Sequence, residues 1–153
     1  MARGDLVLFE EFAHQIGMKT MNLETDTLKV ALIKIAATPT AASASPTYSD
    51  WSANEVSGTG YSAGGGTIAS NTYTEADGDA KLDGNNVTWS QNASGFAVGA
   101  STGAAWGIIY SDTATSKSAI GFVELKSGST TVGNVAGDLT ISWHASGIFT
   151  LSV

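Results

Sequence analysis

Apolar and polar residues alternate in short stretches along most of the chain. The clearest stretch is Thr27–Ile35, in which Leu28, Val30 and Leu32 share one face and Lys29 lies on the other. This period of two predicts a β-strand. Further strands are predicted at Thr67–Thr74, Lys81–Leu82, Val87–Trp89, Ala104–Tyr110, Ser118–Leu125, Asp138–Trp143 and Ile148–Val153.

Turn-forming residues separate these stretches. Asp83–Asn86 (DGNN) stands between two of them and predicts a hairpin, because Gly and Asn tolerate positive φ. His144–Gly147 (HASG) predicts a second hairpin, between the last two strands, and Glu75–Asp79 predicts an acidic turn.

One segment has helical spacing. Leu6, Phe9, Phe12 and Ile16 recur every three or four residues, which predicts a helix over Asp5–Gly17, with Asp5 as its N-cap and Gly17 as its end. A long loop rich in Ala, Ser and Thr then spans residues 36–54. A loop of that length points to function or mobility.

Short strands with non-helical connections predict an all-β fold: a single β-sandwich with jelly-roll strand order, preceded by a short N-terminal helix or arm. We expect residues 1–20 to form the arm and residues 21–153 the sandwich. A chain of 153 residues is long enough to form one such domain.

The charge and hydropathy of the chain exclude several classes of function. Seven Lys and Arg against fourteen Asp and Glu give a net charge of −7, so no basic surface for nucleic acid is expected. The apolar runs are too short to span a membrane, and the N-terminus lacks the pattern of a secretory signal. Charged residues make up only 14% of the chain. Two compatible explanations stay open: outer faces rich in Ser and Thr, or a surface covered by partner subunits.

Residues 55–66, EVSGTGYSAGGG, contain the patterns of two enzyme motifs. Gly60–Gly64 matches the G-x-S-x-G nucleophile elbow, and Gly58–Ala63 matches a dinucleotide-binding loop. Both motifs require a helix immediately afterwards, whereas a strand pattern follows here. We therefore interpret the segment as a connector and expect no enzyme activity.

Other candidate chemistry is sparse. His14 and His144 lack the further ligands of a zinc site, and the chain contains no cysteine. Asp77, Asp79 and Asp83 offer oxygen ligands, so calcium binding stays open against a solvated acidic loop. No catalytic, cofactor-binding or metal-binding residue is assigned, and no cofactor is expected.

Six blocks along the chain resemble, in the same order, a family of small virion proteins of tailed bacteriophages, most of all the head decoration or cement proteins. The blocks are GDLVLFEEFA (Gly4–Ala13), DTLKVALI (Asp26–Ile33), EVSGTGYSAGGG (Glu55–Gly66), NVTWSQNASGF (Asn86–Phe96), IIYSDTATSKSAIGFVEL (Ile108–Leu125) and GDLTISWHASGIFTLSV (Gly137–Val153).

The resemblance implies a structural protein that is made in the host cytoplasm and binds the outer surface of the phage head across capsid subunits. Its partners would be the major capsid protein and neighbouring copies of the chain. The alternative is a tail or fibre component that binds a host receptor or glycan. We expect residues 1–17 and 36–54 to make the partner contacts, through Leu6, Phe9, Phe12, Tyr48 and Trp51.

Overall fold

The computed structural model describes residues 3–152 and has an all-β fold. Two short helices accompany the strands, α1 at Phe12–Gly17 and α2 at Ser49–Ser52. The strands, numbered β1 to β10, are Leu6–Leu8, Leu28–Ile33, Gly66–Ile68, Thr72–Ala76, Asp79–Asp83, Val87–Trp89, Trp106–Ser111, Ala119–Glu124, Leu139–Ile141 and Phe149–Leu151. Met1, Ala2 and Val153, which belong to the predicted arm and final strand, lie outside the described residues.

The largest sheet is antiparallel and has the order β1-β8-β7-β2-β3. Its three central strands are almost entirely buried on both faces. This explains their sequences, since a strand covered on both sides reads as a continuous apolar run. One face packs around Leu28, Val30 and Leu32, and the other around Ala31 and Ile33. The predicted strands in these three positions are confirmed.

Two smaller antiparallel sheets, β10-β5-β4 and β6-β9, complete the fold. Leu82 of β5, Trp89 of β6 and Ile141 of β9 join the same core cluster as Val30 in the large sheet. The sheets therefore pack face to face in a sandwich-like arrangement, as the sequence predicts. The jelly-roll strand order is not confirmed by this grouping of five, three and two strands.

The pairing of the short strands corrects the predicted hairpins. The sequence places β5 beside β6 and β9 beside β10, but the structure pairs β5 with β10 and β6 with β9. The predicted turn at Asp83–Asn86 instead contacts Trp143, the residue just before the second predicted turn. The backbone N–H of Trp143 donates to Asn86 Oδ1 at 3.0 Å, and its indole N–H donates to the Asn85 carbonyl at 3.0 Å. Both connections carry the chain from one sheet to another.

The acidic turn is confirmed as the link between β4 and β5. Asp77 and Gly78 have φ values of +54° and +89°, which a two-residue hairpin turn requires. The single strand predicted over Thr67–Thr74 is wrong, because a turn around Ser70, with φ of +53°, divides it into β3 and β4.

The predicted N-terminal helix is wrong in its first half. Residues Leu6–Leu8 form β1, which pairs with β8, and the helix begins only at Phe12. The spacing of Leu6 and Phe9 fits a helix, but the contiguous apolar run also fits an edge strand, and β8 offers that strand a partner. Because β1 belongs to the large sheet, this part of the predicted arm 1–20 lies within the sandwich.

Candidate partner-binding face

Three of the predicted partner contacts are core residues. Phe9 and Phe12 are each 2% exposed, and Trp51 is 6% exposed. Phe9 stacks on Trp51 with ring centroids 5.3 Å apart and also contacts Phe122 of β8 at 5.3 Å. We correct the prediction for these three residues, because their side chains cannot bind a partner without leaving the core.

Leu6 and Tyr48 are half-buried. Leu6 packs against the core cluster between the sheets. Tyr48 stacks on Tyr110 at a centroid distance of 4.8 Å, and its hydroxyl donates to Glu55 Oε2 at 2.7 Å. Only the outer edges of these two side chains are available to a partner.

The two segments that were expected to bind a partner lie side by side. The N–H of Glu10 donates to the Ala41 carbonyl at 3.0 Å, which joins the N-terminal segment to the long loop. The N–H of Tyr48 donates to the Lys117 carbonyl at 2.9 Å, which joins the loop to the β7–β8 turn. Together, these segments form one continuous face that the strand patterns do not reveal.

A groove of about 480 Å³ opens on this face between α1, the long loop and the β7–β8 turn. We call it the α1 groove. Met18, at 63% exposure, is one of two large hydrophobic residues that stand out on the described surface. Most of the other groove residues carry hydroxyl, amide or charged groups. The lining comprises Glu11, His14, Gln15, Met18, Lys19, Thr20, Ser45, Thr47, Thr115, Ser116 and Ser118.

Gln15 is an unusual member of this lining. It is 8% exposed, and its Oε1 is buried with no hydrogen-bond partner among residues 3–152. A buried polar atom without a partner costs about 1–3 kcal/mol. Its neighbour His14 is satisfied, because it contacts Glu11 Oε1 at 2.8 Å. The carboxamide of Gln15 can both donate and accept, so it matches the hydrogen-bonding pattern of a peptide group.

Glu55 organises the glycine-rich segment below this face. Although only 9% exposed, its carboxylate accepts hydrogen bonds from three donors: the hydroxyls of Tyr48 and Tyr61 and the N–H of Gly64. The Tyr61 hydroxyl in turn accepts from the N–H of Leu32 at 2.9 Å. A buried carboxylate is tolerated only with such partners.

The tyrosines of this cluster resist ionisation. Burial, followed by the hydrogen bond to Glu55, raises the pKa of Tyr48 to about 12. The same two causes raise the pKa of Tyr61 well above the ordinary tyrosine value. Burial also raises the pKa of Tyr110, whose hydroxyl donates to the Gly64 carbonyl at 2.7 Å. These hydroxyls therefore stay protonated in the folded protein, and their hydrogen bonds fix Glu55 and the glycine-rich segment in place.

The glycines of this segment are required by close packing. A Cβ at Gly65 would lie 1.8 Å from the Val30 carbonyl oxygen, and its φ is +79°. Strand β3 follows at once, so Ser62, which is exposed, does not precede the helix that a nucleophile elbow needs. The structure therefore has the connector that the sequence predicts.

The remaining candidate ligands are separate from one another. Asp83 pairs with Lys81 at 3.1 Å, and a hydrogen bond from the Gly84 N–H, followed by the one from Lys81, lowers the pKa of Asp83. Asp77 and Asp79 are exposed in the β4–β5 hairpin. Among residues 3–152, no three His, Cys, Asp or Glu side chains are grouped so that they could hold a metal ion.

Comparison with known proteins gives no relatives. No protein-family model, no curated protein and no solved structure is significantly similar to the chain. Within residues 3–152, no helix has the length and apolar character needed to cross a membrane.

Proposed function

We propose that the protein is a structural component of a tailed-phage virion, which binds the outside of the capsid and decorates or cements it across capsid subunits. The α1 groove is the face that contacts the capsid. The proposal rests on the resemblance of the six sequence blocks and on the way in which the expected contact segments come together.

The single observation that carries the choice of face is Gln15. Its buried oxygen lacks a donor within the described part of the chain, and the residue borders a groove formed by the expected contact segments. Hydroxyl groups around it, including Thr47 and Thr115, can bond to the backbone or side chains of another protein. Met18 adds a flexible apolar contact at the rim of the groove.

The low content of charged residues supports the same function. Interface cores are depleted in charged residues, and only 14% of this chain is charged. A decoration protein needs no strong single contact, because many copies on one particle bind neighbouring sites together.

Copy number tests the function itself. Particles are purified from the organism that encodes the chain, and the chain is quantified by gel densitometry against the major particle protein. A decoration protein is present in a fixed ratio to the capsid subunit. A ratio typical of a few copies per particle favours the tail or fibre alternative, and complete absence from particles refutes both.

Two matched substitutions test the face. Met18→Asp places a charge in the α1 groove, whereas Val98→Asp changes the other exposed hydrophobic residue, at 61% exposure, which does not line the groove. Neither residue is buried, so both variants should retain the wild-type unfolding midpoint. Binding to particles lacking the protein should fall about tenfold or more for Met18→Asp alone. Equal binding of both variants would exclude the groove.

A further inference from the structure

We propose that the protein binds a small anionic amphiphile, with the chemistry of a medium-chain fatty acid, in a cavity at an open corner of the sandwich. The apolar tail lies between the sheets, and the carboxylate lies against Arg3 and His144 at the opening. This inference does not depend on the proposed function, and it concerns a surface other than the α1 groove.

The cavity lies where two strand edges have no partner strand. Among the described residues, β1 pairs only with β8, and β9 pairs only with β6. A cavity of about 290 Å³ opens between Leu6 of β1 and the strand β9, beside the end of β8. Ligand sites in proteins have volumes of roughly 300–1,000 Å³, so a cavity of this size suits a small molecule.

The inner wall of the cavity is apolar. Leu139, Ile141 and Trp143 alternate with exposed residues and pack with the core cluster between the sheets, so their side chains point inward. Other members of the same core cluster also border the cavity: Val123, Leu125 and Ile148. A hydrocarbon tail placed over these side chains is removed from water together with them, which favours binding.

The acidic residue of the cavity wall does not oppose an anion. Glu124 lies between Val123 and Leu125, which belong to the core cluster between the sheets, so its side chain points to the other face of the large sheet. On that face, the Glu124 carboxylate pairs with the Lys126 ammonium at 2.6 Å, and this ammonium lies 4.9 Å from the centre of the Trp106 ring. The negative charge of Glu124 is therefore compensated.

Two donors for an anion border the opening. Arg3 is exposed and forms no ion pair within residues 3–152. The turn at Gly4, which has φ of +92° and an N–H that donates to the Glu124 carbonyl at 2.7 Å, holds Arg3 beside the cavity. His144 accepts the Ser146 N–H at Nδ1, at 3.1 Å, so its neutral ring carries the proton on Nε2. Guanidinium and ring N–H groups both donate to carboxylates, which identifies the head group.

Calorimetric titration with decanoate, below its micelle concentration, tests this site. We expect saturable binding of decanoate, about fivefold weaker binding of decanol, which lacks the charge, and no measurable binding of acetate, which lacks the tail. Arg3→Gln should raise the dissociation constant for decanoate about fivefold. Lys34→Gln is the matched control, because Lys34 forms no ion pair among the described residues and does not border the cavity. It should leave the dissociation constant unchanged.

Fluorescence and a cavity-filling variant locate the tail. Of the four tryptophans, all within the described residues, Trp143 alone borders the cavity. Decanoate brominated at its terminal carbon should therefore quench part of the protein fluorescence, and Trp143→Phe should remove this quenching. Leu6→Trp enlarges a half-buried side chain beside the cavity, so it should abolish binding while keeping the wild-type unfolding midpoint.

Several results would overturn the proposal. Absence of saturable decanoate binding, quenching that persists in Trp143→Phe, or full binding by a folded Leu6→Trp variant would exclude the cavity as the site. Equal affinities for decanoate and decanol, or equal effects of Arg3→Gln and Lys34→Gln, would exclude an anionic head group at Arg3.

Discussion

The hydroxyl of Tyr61 holds the glycine-rich connector against the large sheet, and Tyr61→Phe removes only that atom. The Leu32 N–H loses its acceptor, and the Glu55 carboxylate loses one of its three donors. The ring itself keeps its contacts with Trp89, at a centroid distance of 6.1 Å, and Phe96, at 5.8 Å. No large cavity is created, so the change isolates hydrogen bonding.

The expected cost follows from these two losses. A hydrogen bond to a charged group contributes about 1.5–3 kcal/mol, and a buried donor without a partner costs about 1–3 kcal/mol. The two are coupled through one hydroxyl and are not additive, so we expect the free energy of unfolding to fall by about 2–4 kcal/mol. For a chain of this size, that lowers the midpoint of thermal unfolding by roughly 5–15 °C.

Urea unfolding followed by tryptophan fluorescence measures this change. Tyr73→Phe is the matched control, because Tyr73 is half-buried and its hydroxyl has no hydrogen-bond partner among the described residues. Its substitution should cost less than about 0.5 kcal/mol. Equal costs for the two tyrosines would refute the role assigned to the Tyr61 hydroxyl.

Three further predictions concern stability. Gly65→Ala should prevent folding or cost more than about 4 kcal/mol, because the new Cβ meets the Val30 carbonyl, whereas Gly137→Ala, with open space around it, should be nearly neutral in a urea titration. Phe9→Ala should cost about 3–5 kcal/mol, measured in the same way, and a loss of particle binding without loss of stability would contradict its place in the core. The pKa of Tyr48 is raised from 10.0 to about 12 in the folded state, so its protonated hydroxyl stabilises the fold fully below pH 10, and this stabilisation is lost as the pH rises through about 12. A pH titration of tyrosinate absorbance should show the ionisation of Tyr48 coinciding with unfolding. Ionisation of Tyr48 at the ordinary pKa in the folded protein would contradict this prediction.

The central strands could be predicted from sequence because burial on both faces leaves a strong local signal. The apolar runs of β2, β7 and β8 are short and rich in β-branched and aromatic residues, which favours buried strands over buried helices. The pairing of β5, β6, β9 and β10 could not be predicted in this way. A turn sequence specifies that the chain bends, but not which sheet the next strand enters. The connections between β5 and β6 and between β9 and β10 both cross from one sheet to another.

The candidate site was predicted as segments rather than as residues. The residues around Trp51 in the sequence are mostly polar, which is typical of an exposed anchor. In the fold, however, Phe9 stacks on its ring once β1 has paired. Gln15 gives no sequence signal, since a glutamine on a short helix is ordinarily a surface residue. Glu55 has a weak signal: it is an acid just before a glycine-rich segment that contains a tyrosine.

The pairing of β1 with β8 has a consequence for how the chain acquires its structure. Leu6, near the start of the chain, cannot pair with Val123 until most of the protein has been synthesised. β10, at Phe149–Leu151, must also be available before β5 has a partner strand on each edge. The hairpin of β7 and β8 joins two fully buried strands that are neighbours in the sequence. We therefore expect folding to begin at this hairpin and to be slow, on the order of milliseconds to seconds. β1 and β10 should pair with β8 and β5 last.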